Sequence, residues 1–166
     1  MNHTQASTSY AVGDWGHFID GVAEPLEAAQ GAIVELHNPA TGEIIGRSPT
    51  GGEGDAERAV RAARRAQPAW ASQTVNERRR LVRELSARIE AAADELAHID
   101  VLETGKTISL ASALVAGGPS HVLDFVDVSD SFFDQELIGG HRQLREPYGV
   151  VGIIVPWNAP IEIVMR

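Results

Sequence analysis

The stretch Arg145-Glu-Pro-Tyr-Gly-Val-Val-Gly-Ile-Ile-Val-Pro-Trp-Asn-Ala-Pro160 decides how this chain is read. Val150 to Val155 form an apolar run rich in β-branched residues, flanked by Gly149 and Pro156. Such a run reads as a strand buried on both faces, the environment of a parallel sheet. In open α/β sheets ligands bind just outside the carboxyl ends of the strands. Trp157 and Asn158 stand at that end, between Pro156 and Pro160, so Asn158 is a polar residue placed where chemistry would occur. Only six residues follow Pro160 in the sequence, and a parallel strand needs others beside it. The expectation is the front part of a longer protein.

Working outward, the upstream chain alternates turn signals with periodic segments. Trp15 to Gly21 mixes large apolar and polar residues and ends in Asp20-Gly21, a hairpin signal. Ala32 to Leu36 reads as a second strand closed by Asn38-Pro39, and Glu43 to Gly46 as a third after Thr41-Gly42, giving a small antiparallel group. The Gly- and Pro-rich segment 48–54 then leads to Asp55, whose carboxylate suits the N-cap of a helix over Ala56 to Gln67 that Pro68 stops. A longer helix is expected from Asn76 to His98, with Leu81, Leu85, Ile89, Ala92 and Leu96 as its apolar stripe. Arg78, Arg79, Arg80 and Arg83 fall on its outer side, where Glu77, Glu84 and Glu90 can pair with them. Ile108 to Val115 reads as a short helix broken by Gly117-Gly118-Pro119, followed by another that uses Val122, Val126 and Phe133, with Phe125 and Phe132 beside them. His141 to Arg145 reads as a short strand after the Gly139-Gly140 turn.

Bulk properties exclude several classes. The 166 residues allow one domain, or one with an incomplete second, and 43% apolar residues is ordinary for a globular chain. A net charge of −9 argues against a nucleic-acid partner, since phosphate backbones are held by clustered positive charge. No apolar run approaches the roughly 18 residues of a membrane span, and the first ten residues lack the features of a signal peptide, so a cytoplasmic location is the default. There is no cysteine, hence no disulfide, thiolate metal site or thiol nucleophile among these residues. The six histidines show no pairing spacing, and no metal site is expected. Glu103-Thr-Gly-Lys-Thr107 fails as a phosphate-binding loop, because Asp100 stands where that motif needs a glycine. Gly105 reads instead as a helix terminator, with Lys106 complementing the helix dipole.

Glu146 to Pro160 closely resembles the EPxGVVGxIxPWNxP segment of the NAD(P)-dependent aldehyde dehydrogenase superfamily. Supporting segments occur in the same order: Phe18-Ile-Asp-Gly21, Asn38-Pro-Ala-Thr-Gly-Glu43, the Ala-rich helix ending in Pro68-Ala-Trp70, and Leu102-Glu-Thr-Gly-Lys106. The resemblance covers about residues 15 to 166, corresponding to the first third or so of a family member. It implies an α/β fold with an incomplete Rossmann-like cofactor domain, preceded by antiparallel strands and helices. The domain layout implied is a flexible tail at 1–14, the first part of the cofactor-binding domain at 15–134, strands of an oligomerisation arm at 135–148, and the first parallel strand with the start of the next helix at 149–166.

In the family a cysteine thiolate attacks the aldehyde, hydride passes to the nicotinamide, and a glutamate activates water to release the acid. The asparagine matching Asn158 donates its amide to the developing oxyanion. Ile154, Val155, Pro156 and Trp157 match contacts along the cofactor, NAD or NADP. Ala159, Ile163 and Arg166 match positions lining the aldehyde tunnel, and the small Ala159, where many relatives carry an aromatic, implies a wide tunnel suited to aromatic aldehydes. The partners implied are a small-molecule aldehyde and further copies of the chain in a dimer or tetramer, with neither nucleic acid nor membrane. With no cysteine present, the 166 residues alone are expected to be inactive. The alternative is a naturally truncated, non-catalytic relative that acts in binding or assembly.

Overall fold

In the computed structural model, which describes residues 12–128 and 146–166, Asp20 and Gly21 both take positive φ, 56° and 77°, and fold the chain into a tight hairpin. Two left-handed residues in succession match the twist of the flanking strands. The strands are β2 (Phe18–Ile19) and β3 (Val22–Ala23), paired antiparallel. A second sheet has the order β1 (Gly13–Asp14), β5 (Ile44–Pro49), β4 (Ile33–His37). The β4 and β5 strands are antiparallel as expected, whereas β1 runs parallel to β5. The tail expected over residues 1–14 is therefore shorter at its inner end: Val12 is buried, and the Asp14 carboxylate holds the Arg47 guanidinium opposite it.

The first helix, α1 (Glu53–Ala71), begins earlier and ends later than the sequence implies. Gly52 occupies the cap and Asp55 lies three residues inside, reaching back to accept the Gly52 N–H at 2.9 Å and the Gln30 N–H at 2.8 Å. Arg58 completes the knot by donating to Asp55 at 2.8 Å and to Glu24 of the segment after β3. The Arg58 hydrogen bond, aided by the two backbone donors, holds the Asp55 carboxyl down at about 2. Pro68 does not stop α1: the helix runs on to Ala71, and the Ser72 N–H closes the last turn on the Pro68 carbonyl at 3.0 Å.

The long helix expected over 76–98 is two helices, α2 (Val75–Ala91) and α3 (Ala93–Thr104), separated at Ala92, where φ is −99° and ψ is 8°. Thr74 and Glu77 form a capping box at the start of α2. Of the expected stripe Leu81, Ile89, Ala92 and Leu96 are half-buried, but Leu85 is exposed and its neighbour Ser86 is buried, with its hydroxyl donating to the Val82 carbonyl at 3.1 Å. Of the four arginines expected on the outer side, Arg80 pairs with Glu84 as expected and Arg83 reaches Asp127, whereas Arg78 and Arg79 are half-buried and Arg78 folds back onto the Gln73 carbonyl. Gly105 caps α3 in the left-handed conformation, as expected. Lys106 turns inward instead of facing the helix end, its ammonium 2.6 Å from Asp100.

Gly117-Gly118-Pro119 does not interrupt the next helix, α4, which runs over Ile108–Val128. It packs against α2, α3 and the short final helix α5 (Pro160–Met165). The core lies there, around Ala97, Ala111 and Val115, with Ala93, Leu96, Val101 and Ile161 against it. The arm strands expected at 135–148, the strand at His141 to Arg145, and Phe132 and Phe133 fall wholly or mainly outside the described residues.

Candidate active site

Residues 150–156 do not form the doubly buried strand that their composition implies. They are paired with no strand among the described residues, and the side chains stand open: Ile154 is 99% exposed, and Val151 and Ile153 are exposed as well. The composition is that of a sheet interior, but no strand among the described residues covers it. Trp157 and Asn158 form a turn at the end of this run, both exposed, with Trp157 at 73%.

The turn is held from its far side. Ala159 is buried and caps α5, its carbonyl accepting the Ile163 N–H at 3.0 Å, and Pro160 takes the first helical position, where its missing N–H costs nothing. Helix α5 then lies on the middle of α4. A Cβ built on Gly118 would come within 3.1 Å of the Ile161 carbonyl oxygen and 3.2 Å of Met165 Cγ, so the absence of a side chain at 118 is what admits α5 at this depth. The Gly-Gly pair that looks like a helix break is thus a seat, and Ile161 carries the contact into the Ala97–Ala111–Val115 cluster.

The predicted site residues sort along this arrangement. Ile154, Val155, Pro156, Trp157 and Asn158 follow one another into the exposed turn, and Ala159, Ile163 and Arg166 follow on α5, with Ala159 buried, Ile163 half-buried and Arg166 exposed. Asn158 does not cap α5, because the cap is Ala159 with no side-chain bond. Its amide is free of that local task and open to a ligand. The sequence reading did not single out Glu162 and His121, which meet across the α4–α5 seam at 3.7 Å. Their spacing in sequence, on helices far apart in the chain, gives no signal, and only the glycine pair opposite could have pointed to the seam. Among the described residues there is no cluster of three or more metal-ligating side chains, and no helix is long and apolar enough to cross a membrane.

The helical layer thus carries an apolar extended run, an exposed Trp-Asn turn and a short helix in succession. Residues 26–166 match the model of the aldehyde dehydrogenase family, and the chain belongs to that family. It is 32% identical over 155 residues to glutarate-semialdehyde dehydrogenase of Pseudomonas putida, covering 90% of this chain and 32% of that protein. It is also 32% identical over 153 residues to human 2-aminomuconic semialdehyde dehydrogenase, covering 87% and 30%. A Sinorhizobium meliloti 1021 protein assigned as a methylmalonate-semialdehyde dehydrogenase and solved with NAD superposes with a TM-score of 0.80 at 31% identity, covering 92% of this chain and 32% of that one. The chain thus spans about a third of the length of the relatives it matches. The α/β fold is that of part of an aldehyde dehydrogenase cofactor domain, and the family's cofactor is NAD or NADP.

Proposed function

We propose that this chain supplies the N-terminal part of an NAD(P)-dependent enzyme that oxidises an aldehyde to a carboxylic acid, with Asn158 as the oxyanion donor. The observation that carries the proposal is the exposed Asn158 amide at the tip of a turn, fixed by α5 on one side and continuous with the open run 150–156 on the other. A donor held in place before reaction begins stabilises the negative charge that develops on the aldehyde oxygen, and costs no reorganisation at that moment. NAD or NADP would supply the hydride acceptor. Ile154, Val155, Pro156 and Trp157 would hold it, and the exposed apolar surfaces of Ile154 and Trp157 fit a flat ring system better than they fit water.

The 166 residues contain no cysteine, so the thiolate that attacks the aldehyde must come from elsewhere. The chain alone is inactive in this reading, and oligomerisation through the segment at 135–148 belongs to the complete enzyme. Arg166 supports a refinement of the substrate. Its guanidinium is exposed at a position assigned to the aldehyde tunnel, and several relatives bear the names of semialdehydes derived from dicarboxylic acids. A cation on the tunnel wall favours an aldehyde with a carboxylate at its far end. This reading takes precedence over the aromatic aldehydes suggested by Ala159, whose side chain is buried at the cap of α5.

The test is Asn158→Ala in the catalytically complete enzyme that contains this chain. The expected result is a fall in kcat of about 10²–10³, with KM for NAD(P) little changed. An Asn158→Ala enzyme with unaltered kcat would overturn the assignment.

A further inference from the structure

The side chain of Glu162 lies in the seam between α4 and α5, alongside Gly117, where a Cβ would sit 3.7 Å from Glu162 Cγ and 3.8 Å from its Cδ. Its Oε1 has two nitrogen neighbours. Arg166 Nη1 is 3.9 Å away, one turn further along the chain, and His121 Nδ1 is 3.7 Å away across the seam. Both separations are longer than a formed hydrogen bond, so the carboxylate stands between two partners without being committed to either. Glu162 is 19% exposed, whereas Arg166 is 62% exposed. His121 Nδ1 is buried and has no hydrogen-bond partner. A nitrogen sealed from water with its hydrogen-bonding capacity unused, facing a carboxylate, is a place for that carboxylate to go.

We propose that Glu162 is a specificity-determining residue of the substrate path, acting as the displaceable counter-ion of Arg166 with His121 as its second anchor. The inference rests on the reading above, in which Arg166 faces the aldehyde tunnel. Without substrate, Glu162 shields the guanidinium. A substrate carboxylate that engages Arg166 brings a second negative charge to the same cation, and two carboxylates crowded together repel each other. Glu162 then closes on His121 Nδ1, which satisfies the buried nitrogen and clears the guanidinium. An uncharged aldehyde makes no such demand. Glu162 and His121 therefore set the preference for carboxylated over neutral aldehydes, without touching the reacting carbonyl.

The test compares glutarate semialdehyde with pentanal, two five-carbon aldehydes that differ at the far end, in steady-state kinetics of the catalytically complete enzyme containing this chain. Glu162→Gln lowers the KM for glutarate semialdehyde about fivefold relative to that for pentanal. His121→Leu shifts the same ratio the opposite way, because Glu162 then has nowhere else to go. In an Arg166→Gln background, Glu162→Gln has no effect on the ratio. The pentanal KM in each preparation controls for general damage to α5. An unchanged ratio in Glu162→Gln, or a shift of the same sign in Glu162→Gln and His121→Leu, would overturn the inference while leaving the enzymatic reading intact. Failure of the unaltered enzyme to oxidise either aldehyde would overturn that reading, and the inference with it.

Discussion

Replacing Lys106 with methionine probes the best-buried charge pair described in the chain. The Lys106 Nζ lies 2.6 Å from Asp100 Oδ1, and each side chain is 9% exposed. The Thr104 hydroxyl sits beside them, donating to the Asp100 carbonyl at 2.5 Å. Nearby, burial pushes the Glu103 carboxyl up, the charge of Asp100 adds to that, and Lys106 pulls it back. Methionine keeps the length and most of the volume of lysine but leaves the Asp100 carboxylate without its cation and with Glu103 close by. Removing one partner of a buried pair costs about 3–5 kcal/mol, set against a total stability of about 5–15 kcal/mol. Urea unfolding followed by far-ultraviolet circular dichroism reads the change. With a denaturant slope of about 1–3 kcal/mol per molar, the midpoint falls by about 1 M or more. Adding Asp100→Leu to Lys106→Met recovers most of it, since an apolar pair replaces a broken ionic one. A single variant within about 0.5 kcal/mol of the parent would show that the pair is solvated and that this account of the α3 terminus is wrong.

Three other outcomes are expected. The Asp55 carboxyl is held at about 2, below its ordinary 3.8, so its contribution to stability is complete above about pH 4 and is lost as pH falls towards 2. Asp55→Asn flattens stability against pH across that window, and an unchanged slope would count against the knot at the start of α1. Gly118→Val forces a side chain into the space taken by the Ile161 carbonyl and Met165, costs about 1–3 kcal/mol, and shifts the amide resonances of 157–163; resonances that stay in place would mean that α5 is not seated there. The open apolar run at 150–157 promotes association of the isolated chain. Sedimentation should show concentration-dependent oligomers that shrink with Ile154→Lys, and a monodisperse monomer at high concentration contradicts this.

What the sequence makes legible, and what it hides, divides along physical lines. Local signals read correctly wherever a backbone conformation is decided within a few residues: the Asp20-Gly21 hairpin, the Thr74–Glu77 start of α2 within a residue of its expected position, and Gly105 at the end of α3. The motif at 146–160 carries the family. Readings fail where a distant segment decides the outcome. Gly117-Gly118-Pro119 looks like a break because glycine and proline are poor in helix interiors, yet the contact with α5, some 40 residues further on, is what these small residues permit. The division of α2 from α3 at Ala92 has no breaker residue to announce it. Ser86 is buried in place of Leu85 because its hydroxyl is satisfied within its own helix, which a hydrophobic count does not see. In the candidate site, Asn158 and its neighbours are legible through the motif, whereas the meeting of Glu162 with His121 depends on how two helices cross.

The seat at Gly118 also bears on how this enzyme family could be redesigned. The Trp157-Asn158 turn is connected directly to α5, and α5 rests on α4, so the placement of the proposed oxyanion donor is inherited from the contact between two helices. A mutant library meant to change aldehyde preference would do well to sample Gly117, Gly118 and His121 on α4 together with Glu162. Variation there shifts α5 as a unit and leaves residues 154–158 in their native sequence.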